Sequence, residues 1–181
     1  MKSYSAIKVH RFYTLLLPCT VALIASCTNN STDGITAAAL TDTNIFNTAQ
    51  QSSGYIWYKK SDTYLTRSAK SGHSEPFQRT RLDATAATQL DAVGKVKNGA
   101  VFPEGSTIVK ELVNSDRSLS GYAVLIKRKS DPNADASGWV WGQVTAAGNV
   151  RNSVSNKGGA CIDCHSIAGN IDRTLMNVSN P

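Results

Sequence analysis

Histidine and cysteine are scarce in this chain, with three histidines and four cysteines among 181 residues. A structural zinc site needs four Cys, His or acidic ligands close together, and the chain has too few Cys and His to make one convincing. A thioredoxin-like redox pair needs a strand–helix–strand context, which is absent around the one Cys-x-x-Cys spacing. Basic runs interleaved with aromatic residues are also missing, which argues against a nucleic-acid partner.

What is present is a five-residue motif close to the C-terminus, from Cys161 to His165. Two cysteines separated by two residues and followed at once by histidine are typical of c-type haem attachment. Each thiol adds to one vinyl group of the porphyrin, and the adjacent histidine becomes an iron ligand. We therefore expect one covalent haem c per chain, bound by Cys161 and Cys164, with His165 as the metal ligand.

The N-terminus has the pattern of an export signal. Lys2, Lys8 and Arg11 precede a largely apolar run over residues 12–25. This run is short for a membrane span, so it predicts a cleaved signal peptide. Removal of the three basic residues lowers the formal net charge of the chain from +6 to +3.

The end of the apolar run resembles the lipobox of bacterial lipoproteins, because Ile24, Ala25 and Ser26 lead into Cys27. Residues 1–26 are accordingly predicted to be a lipoprotein signal peptide, and Cys27 is predicted to carry the lipid. An ordinary signal peptide with an unrelated cysteine is the alternative. Thr28, in place of an aspartate after Cys27, favours the outer membrane.

Haem attachment and export agree with each other, since thioether formation with haem takes place outside the cytoplasm. We expect an exported protein on the periplasmic side, tethered as an outer-membrane lipoprotein. Residues 27–44 are small and polar and predict a flexible tether. Residues 45–181 are then the haem domain, and no cysteine is left over for a disulfide.

Long stretches of helical periodicity are absent, which argues against a helical bundle. Period-two alternation between Pro- and Gly-containing turns predicts strands over 55–58, 77–82, 106–113, 121–127 and 139–144. Short helices are predicted over 45–53, after an Asp83 N-cap, and from Ala160. The predicted fold is mainly β (α+β), an antiparallel meander sheet with a few short helices and a C-terminal haem-binding segment.

One predicted strand carries an unusual lysine. Its two faces carry Ile108, Lys110 and Leu112 on one side and Thr107, Val109 and Glu111 on the other. A lysine between two core residues normally extends its amine to solvent. If Lys110 is buried instead, its pKa falls and its neutral amine becomes a nucleophile.

Three segments, in this order and spacing, resemble the cytochrome P-460 family: residues 102–112, residues 138–142 and the haem motif. The resemblance covers residues 55 to 168, and its most specific part is the Pro-x-Gly turn that leads into Val-Lys-Glu-Leu. It implies a mostly β periplasmic haem protein that forms homodimers. It also implies that Lys110 bonds through its side-chain nitrogen to the porphyrin edge and acts as a catalytic residue.

The resemblance implies an oxidoreductase that oxidises hydroxylamine, or a related small nitrogen compound, at an open haem site and passes electrons to a redox partner protein. Related β-type cytochromes c′ lack the lysine link and bind nitric oxide or other gases. An electron-transfer cytochrome is a third possibility, in which His73 or Met176 would be a second iron ligand.

Several further residues are candidates for a role at the iron. The distal acid of the active enzymes has no clear counterpart, since no glutamate follows His165. Glu104, Glu111 and Asp163 lie near the motifs, but nothing in the sequence directs them to the iron. His73 is expected to be an exposed loop residue, and Met176 to precede a fraying tail.

Two pairs of residues on predicted strands are the remaining candidates for contact with the haem. Trp139 and Trp141 share a strand face with Gln143, which predicts core packing with possible haem contact. Arg79 and Arg81 share a face of their own strand and could pair with a haem propionate or remain ordinary surface charges.

Overall fold

The computed structural model describes residues 38–181. The predicted signal peptide, the lipid site at Cys27 and most of the predicted tether lie outside these residues. In the described part, no helix has both the length and the apolar character needed to cross a membrane.

The strands are β1 (Ile56–Trp57), β2 (Leu65–Thr66), β3 (Phe77–Leu82), β4 (Thr107–Val113), β5 (Leu119–Lys127), β6 (Trp139–Thr145) and β7 (Val150–Asn152). The helices are α1 (Asp42–Gln50), α2 (Ala84–Ala87), α3 (Ile162–His165) and α4 (Met176–Ser179), with 3-10 turns at Tyr58–Lys60 and Val154–Asn156. All seven strands form one antiparallel sheet in the order β1-β3-β4-β5-β6-β7, and β2 pairs with β3 beside β1. The predicted mainly β meander is confirmed.

The differences from the sequence-based boundaries have local causes. Strands β2 and β7 were not predicted, because two or three residues are too few to show an alternation. Helix α2 ends at Ala87, before Leu90. Helix α1 begins at Asp42, inside the predicted tether.

The early start of α1 is explained by a capping box. The Thr41 hydroxyl accepts from the Asn44 amide at 3.2 Å, and the Asn44 side chain accepts from the Thr41 amide at 2.8 Å. These two bonds satisfy amides that the first turn of a helix leaves free. Helix α1 therefore begins three residues before the start that its apolar residues indicate.

The sheet buries both of its faces. On one face, α1 packs with Ile45 and Ala49 against four strand valines, which are Val109, Val124, Val140 and Val144. Gly142 permits this contact, because a Cβ there would lie 2.7 Å from the Ile45 side chain. The other face carries Ile108, Lys110, Leu125, Trp139 and Trp141, and the C-terminal segment covers it.

The C-terminal tail is anchored, so the predicted fraying after Met176 is wrong. The Asn177 side chain donates to the Val96 carbonyl at 2.7 Å and accepts from the Tyr58 hydroxyl at 3.1 Å. The same hydroxyl donates to the Asn180 carbonyl at 2.9 Å. These bonds hold α4 against the sheet and bring Met176 into the core.

The α1 side of the sheet contains a buried ion-pair network. Glu111 accepts a hydrogen bond from Arg79 Nε at 2.6 Å and also forms an ion pair with Arg81. Arg81 is buried, with only 2% of its surface exposed to solvent. Arg81 also donates to the carbonyl oxygens of Ala49 and Gln51, and so ties β3 to the end of α1. The propionate role considered for these arginines does not fit, since both are paired with Glu111 on the face away from Lys110.

We expect Glu111→Gln to lower the free energy of unfolding by about 3–5 kcal/mol, because it leaves the Arg81 charge buried without a counter-ion. Denaturant unfolding of the purified protein measures the loss. Glu104→Gln is the matched control, since Glu104 is exposed and should change stability by less than about 0.5 kcal/mol. Equal stability of the two variants would contradict the role given to this network.

Candidate functional site

A cleft lies between the Lys110 face of the sheet and the C-terminal segment. It has two adjoining parts, with about 550 and 590 Å³ of space that is partly open to solvent. Both parts are lined by His73, Lys110, Gln143, Cys161, His165 and Leu175. The lining thus brings a strand lysine, a loop histidine and the Cys161–His165 motif to one place.

The haem motif forms a single helical turn at the edge of this cleft. Cys161 precedes α3, and its carbonyl accepts from the His165 amide at 3.0 Å. Residues three and four positions apart share a helix face, so Cys161, Cys164 and His165 are presented together. Cys161 is partly buried, Cys164 is exposed, and both are free thiols. Burial, and then the charge of Cys164, raises the pKa of the Cys161 thiol.

Gly158 allows the motif to approach the sheet closely. Its φ of +74° lies in the left-handed region, and a Cβ there would come within 2.6 Å of the Trp141 indole. Glycine therefore satisfies both a backbone requirement and a packing requirement. The contact with Trp141 depends on the tertiary structure, and no local pattern in the sequence predicts it.

The imidazole of His165 is oriented by two contacts. Its Nδ1 lies 2.6 Å from the carbonyl oxygen of Arg173, which can only accept, so Nδ1 carries the hydrogen. Trp141 lies edge-on to the ring, with centroids 5.0 Å apart. Burial lowers the pKa of His165 to about 4, against the Arg173 hydrogen bond that raises it. Nε2 of this neutral ring has a free lone pair, as a metal ligand requires.

The Lys110 side chain lines the cleft together with Cys161 and His165. In β4 it is paired with Thr80 on one side and Ala123 on the other, and these small neighbours leave room above the sheet. Burial lowers the pKa of Lys110 to about 8. Within residues 38–181, no carboxylate lies at ion-pairing distance from its amine.

His73 is not the exposed loop residue that the sequence predicted. It is partly buried and lines both parts of the cleft. Burial, together with the charges of Lys110 and His165, lowers the pKa of His73 to about 3, so its ring is neutral. Its loop is held by Glu75, which accepts from Ser120 at 2.9 Å and from Arg151 at 2.7 Å.

The same loop reaches the haem motif at Gly72. A Cβ at this position would lie 3.4 Å from Cys164 Sγ. His73 lies within the region that resembles the cytochrome P-460 family, but no pattern in the sequence indicates that it is buried. The loop is held near its end by an ion pair between Glu75 and Arg151, which are far apart in the chain.

The walls of the first part of the cleft are mainly apolar and include Met176, which is 5% exposed, whereas polar and apolar groups line the second part about equally. Trp139 and Trp141 lie on this side of the sheet, as predicted, and both belong to its apolar cluster. Their indole N–H groups donate to Asp172 at 3.1 Å and to Asp135 at 3.0 Å, respectively. Trp141 lines the cleft, so packing and contact with a bound group are compatible.

No acidic side chain lines the described part of the cleft. Glu111 is paired with arginines behind the sheet, and Glu104 accepts from the Lys129 amide at the surface. Asp163 is exposed in the haem motif. The three acids near the motifs are therefore not brought together around the cleft.

The donor set fits a covalently attached haem. Residues 38–181 contain no group of three or more His, Cys, Asp or Glu side chains that could hold a bare metal ion. A haem iron needs fewer protein ligands, because the porphyrin supplies four nitrogens. Two free thiols, one neutral imidazole with an available Nε2 and a cleft with one mainly apolar part match this requirement.

Comparisons of this chain with protein-family models, with curated proteins and with solved structures found no match.

Proposed function

We propose that this protein is a c-type haem protein that oxidises hydroxylamine or a related small nitrogen compound in the cleft. The observation that carries the proposal is the amine of Lys110, which faces the cleft of Cys161 and His165 without a counter-ion among the described residues. Such an amine is suited to form a bond with the porphyrin edge. The resemblance to the cytochrome P-460 family supports the same assignment.

Each residue has a distinct role in this proposal. The Cys161 and Cys164 thiols form the thioethers, and His165 Nε2 binds the iron. The haem supplies a redox-active iron with a position for a small ligand. The Arg173 carbonyl keeps His165 in the correct tautomer, and apolar walls that include Met176 limit the access of water.

Proton removal is the step that the residues lining the described cleft support least. Oxidation of hydroxylamine releases protons together with electrons, and no carboxylate lines the described cleft to accept them. Lys110, as a neutral amine, is the base available there, provided it is not bonded to the haem. With Lys110 bonded, protons must leave through solvent, because the lowered pKa of about 3 makes His73 a poor proton acceptor.

The lack of a carboxylate favours a second candidate function, the binding of nitric oxide without turnover. In this case the protein resembles the cytochromes c′-β, and Lys110 remains free. The neutral ring of His73 in the same cleft favours electron transfer instead, if His73 becomes a second iron ligand. The number of protein ligands on the iron distinguishes electron transfer, which would use two, from the other two functions.

The cellular setting is part of the proposal. Export, the lipid at Cys27, the periplasmic side of the outer membrane, a redox partner protein and a homodimer are all predictions from the sequence or the resemblance. The haem domain is proposed to work on a tether at the membrane surface.

The test uses the mature chain produced in cells that have c-type haem assembly. With hydroxylamine and an artificial electron acceptor under anaerobic conditions, we expect steady reduction of the acceptor. Nitric oxide added to the ferrous protein should also shift its spectrum. Nitric oxide binding without hydroxylamine turnover would overturn the enzyme proposal in favour of gas binding, and a six-coordinate iron that binds neither would indicate electron transfer.

A further inference from the structure

The loop that supports His165 has an unusual backbone. Asp172 and Arg173 follow each other with φ values of +44° and +68°, in the left-handed region that non-glycine residues rarely adopt. A bridge between Ile171 and Thr174 closes this turn. Such a conformation persists only where surrounding contacts hold it.

The contacts of the Asp172 carboxylate hold this turn. It accepts from the Phe102 amide at 2.8 Å, from Lys127 Nζ at 2.9 Å and 3.0 Å, and from the Trp139 indole at 3.1 Å. Lys127 is 2% exposed, and its ammonium also lies 4.6 Å from the centre of the Trp139 ring. Three donors from separate parts of the chain thus converge on one side chain.

The next residue makes the contact that matters for the haem site. The carbonyl oxygen of Arg173 lies 2.6 Å from His165 Nδ1. The Arg173 side chain donates to Ser137 Oγ at 3.1 Å and to Ser166 Oγ. The Arg173 carbonyl is therefore held in place by the hydrogen bonds of Asp172 on one side and by the hydrogen bond from Arg173 to Ser137 on the other.

We infer that Asp172 is a positioning residue for the iron ligand, acting through the Arg173 carbonyl on His165. A strong hydrogen bond from Nδ1 increases the electron density at Nε2 and fixes the plane of the ring. Asp172 does not line the cleft and touches neither substrate nor iron. The inference rests on the proposed function only for the identity of His165 as the iron ligand.

The direct test is resonance Raman spectroscopy of the ferrous haem protein, because the iron–histidine stretching frequency follows the strength of the Nδ1 hydrogen bond. We expect Asp172→Asn to lower this frequency and to raise the reduction potential, since a less basic ligand stabilises ferric iron less. Asp116→Asn is the matched control. Asp116 bonds to Ser118 in the exposed turn between β4 and β5, so neither quantity should change.

A second variant keeps the test decisive if Asp172→Asn fails to accumulate. Ser137→Ala removes one hydrogen bond from Arg173 and leaves the Asp172–Lys127 ion pair intact. We expect a smaller shift of the stretching frequency in the same direction. Folded variants of both positions with the frequency and the potential of the unmodified protein would overturn the inference.

Failure of the proposed function would be seen separately. If the purified protein carries no haem, that proposal falls, and the His165 tautomer is then measured by ¹⁵N NMR in the haem-free chain. A hydrogen on Nδ1 that moves to Nε2 in Asp172→Asn supports the positioning role. A ring protonated at Nε2 in the unmodified chain overturns it.

Discussion

Replacement of Cys161 and Cys164 together by alanine is expected to abolish covalent haem attachment, with complete loss of haem from the denatured chain. Both thiols are free and presented at the cleft edge on one helical turn, and no other cysteine lies within residues 38–181 to replace them. Each single variant should retain one thioether and less haem. Haem-dependent peroxidase staining after denaturing electrophoresis, with intact mass spectrometry, measures the result.

Cys27→Ser is the matched control for this experiment. Cys27 belongs to the predicted lipid site, so its loss should release the protein from the membrane and leave haem attachment unchanged. A chain that retains covalent haem without Cys161 and Cys164 would refute the assignment of the motif.

Lys110→Met is expected to have the second largest effect, on the order of a 100-fold loss of hydroxylamine oxidation, as is seen when a residue that tunes a metal site is lost. The pKa of about 8 gives Lys110 a roughly 300-fold larger neutral fraction near pH 7 than an exposed lysine has, which favours its bond to the porphyrin. Mass spectrometry of the tryptic haem peptide should show the Lys110 fragment attached in the unmodified protein and absent in the variant. The ferrous absorption should move from far in the red to the range of an ordinary c-type haem.

The variant is expected to fold normally. Methionine retains the length and the apolar stem of lysine, and the amine has no partner among the described residues that its loss would leave unsatisfied. Lys70→Met, at an exposed position, is the control and should retain both the link and the activity. If the unmodified protein carries haem through the two thioethers alone, Lys110 is an ordinary strand residue, and gas binding becomes the better proposal.

The elements that the sequence predicted well are those set by short-range rules. The Pro103–Gly105 turn is followed by β4 with Ile108 and Lys110 on one face, because alternate strand residues point to opposite sides. The Cys161–His165 motif is likewise a local pattern, and the haem that it indicates stays a prediction. The strands were found wherever alternation was long enough, and β2 and β7 were missed because they are very short.

Roles that depend on distant partners could not be predicted from the sequence. His73 was taken for a surface residue, but its loop, which the Glu75–Arg151 pair ties to a distant part of the chain, places it in the cleft. Arg79 and Arg81 were considered for propionates, but the face of β3 that they share is the one that meets Glu111. Met176 was placed before a fraying tail, which Asn177 in fact anchors to Tyr58 and Val96.

The sequence by itself determined the Cys-x-x-Cys-His spacing, the mainly β fold and the face on which Lys110 lies, since each follows from residue spacing along a short stretch of chain. Only the tertiary structure decided what surrounds these residues. The cleft, the neutral state of His165 and the carbonyl that orients it arise where the C-terminal segment returns to the sheet. That return is held by bonds of Asp172 to Lys127 and of Asn177 to Val96, whose members lie 45 and 81 positions apart in the chain, beyond any pattern that a local reading can detect.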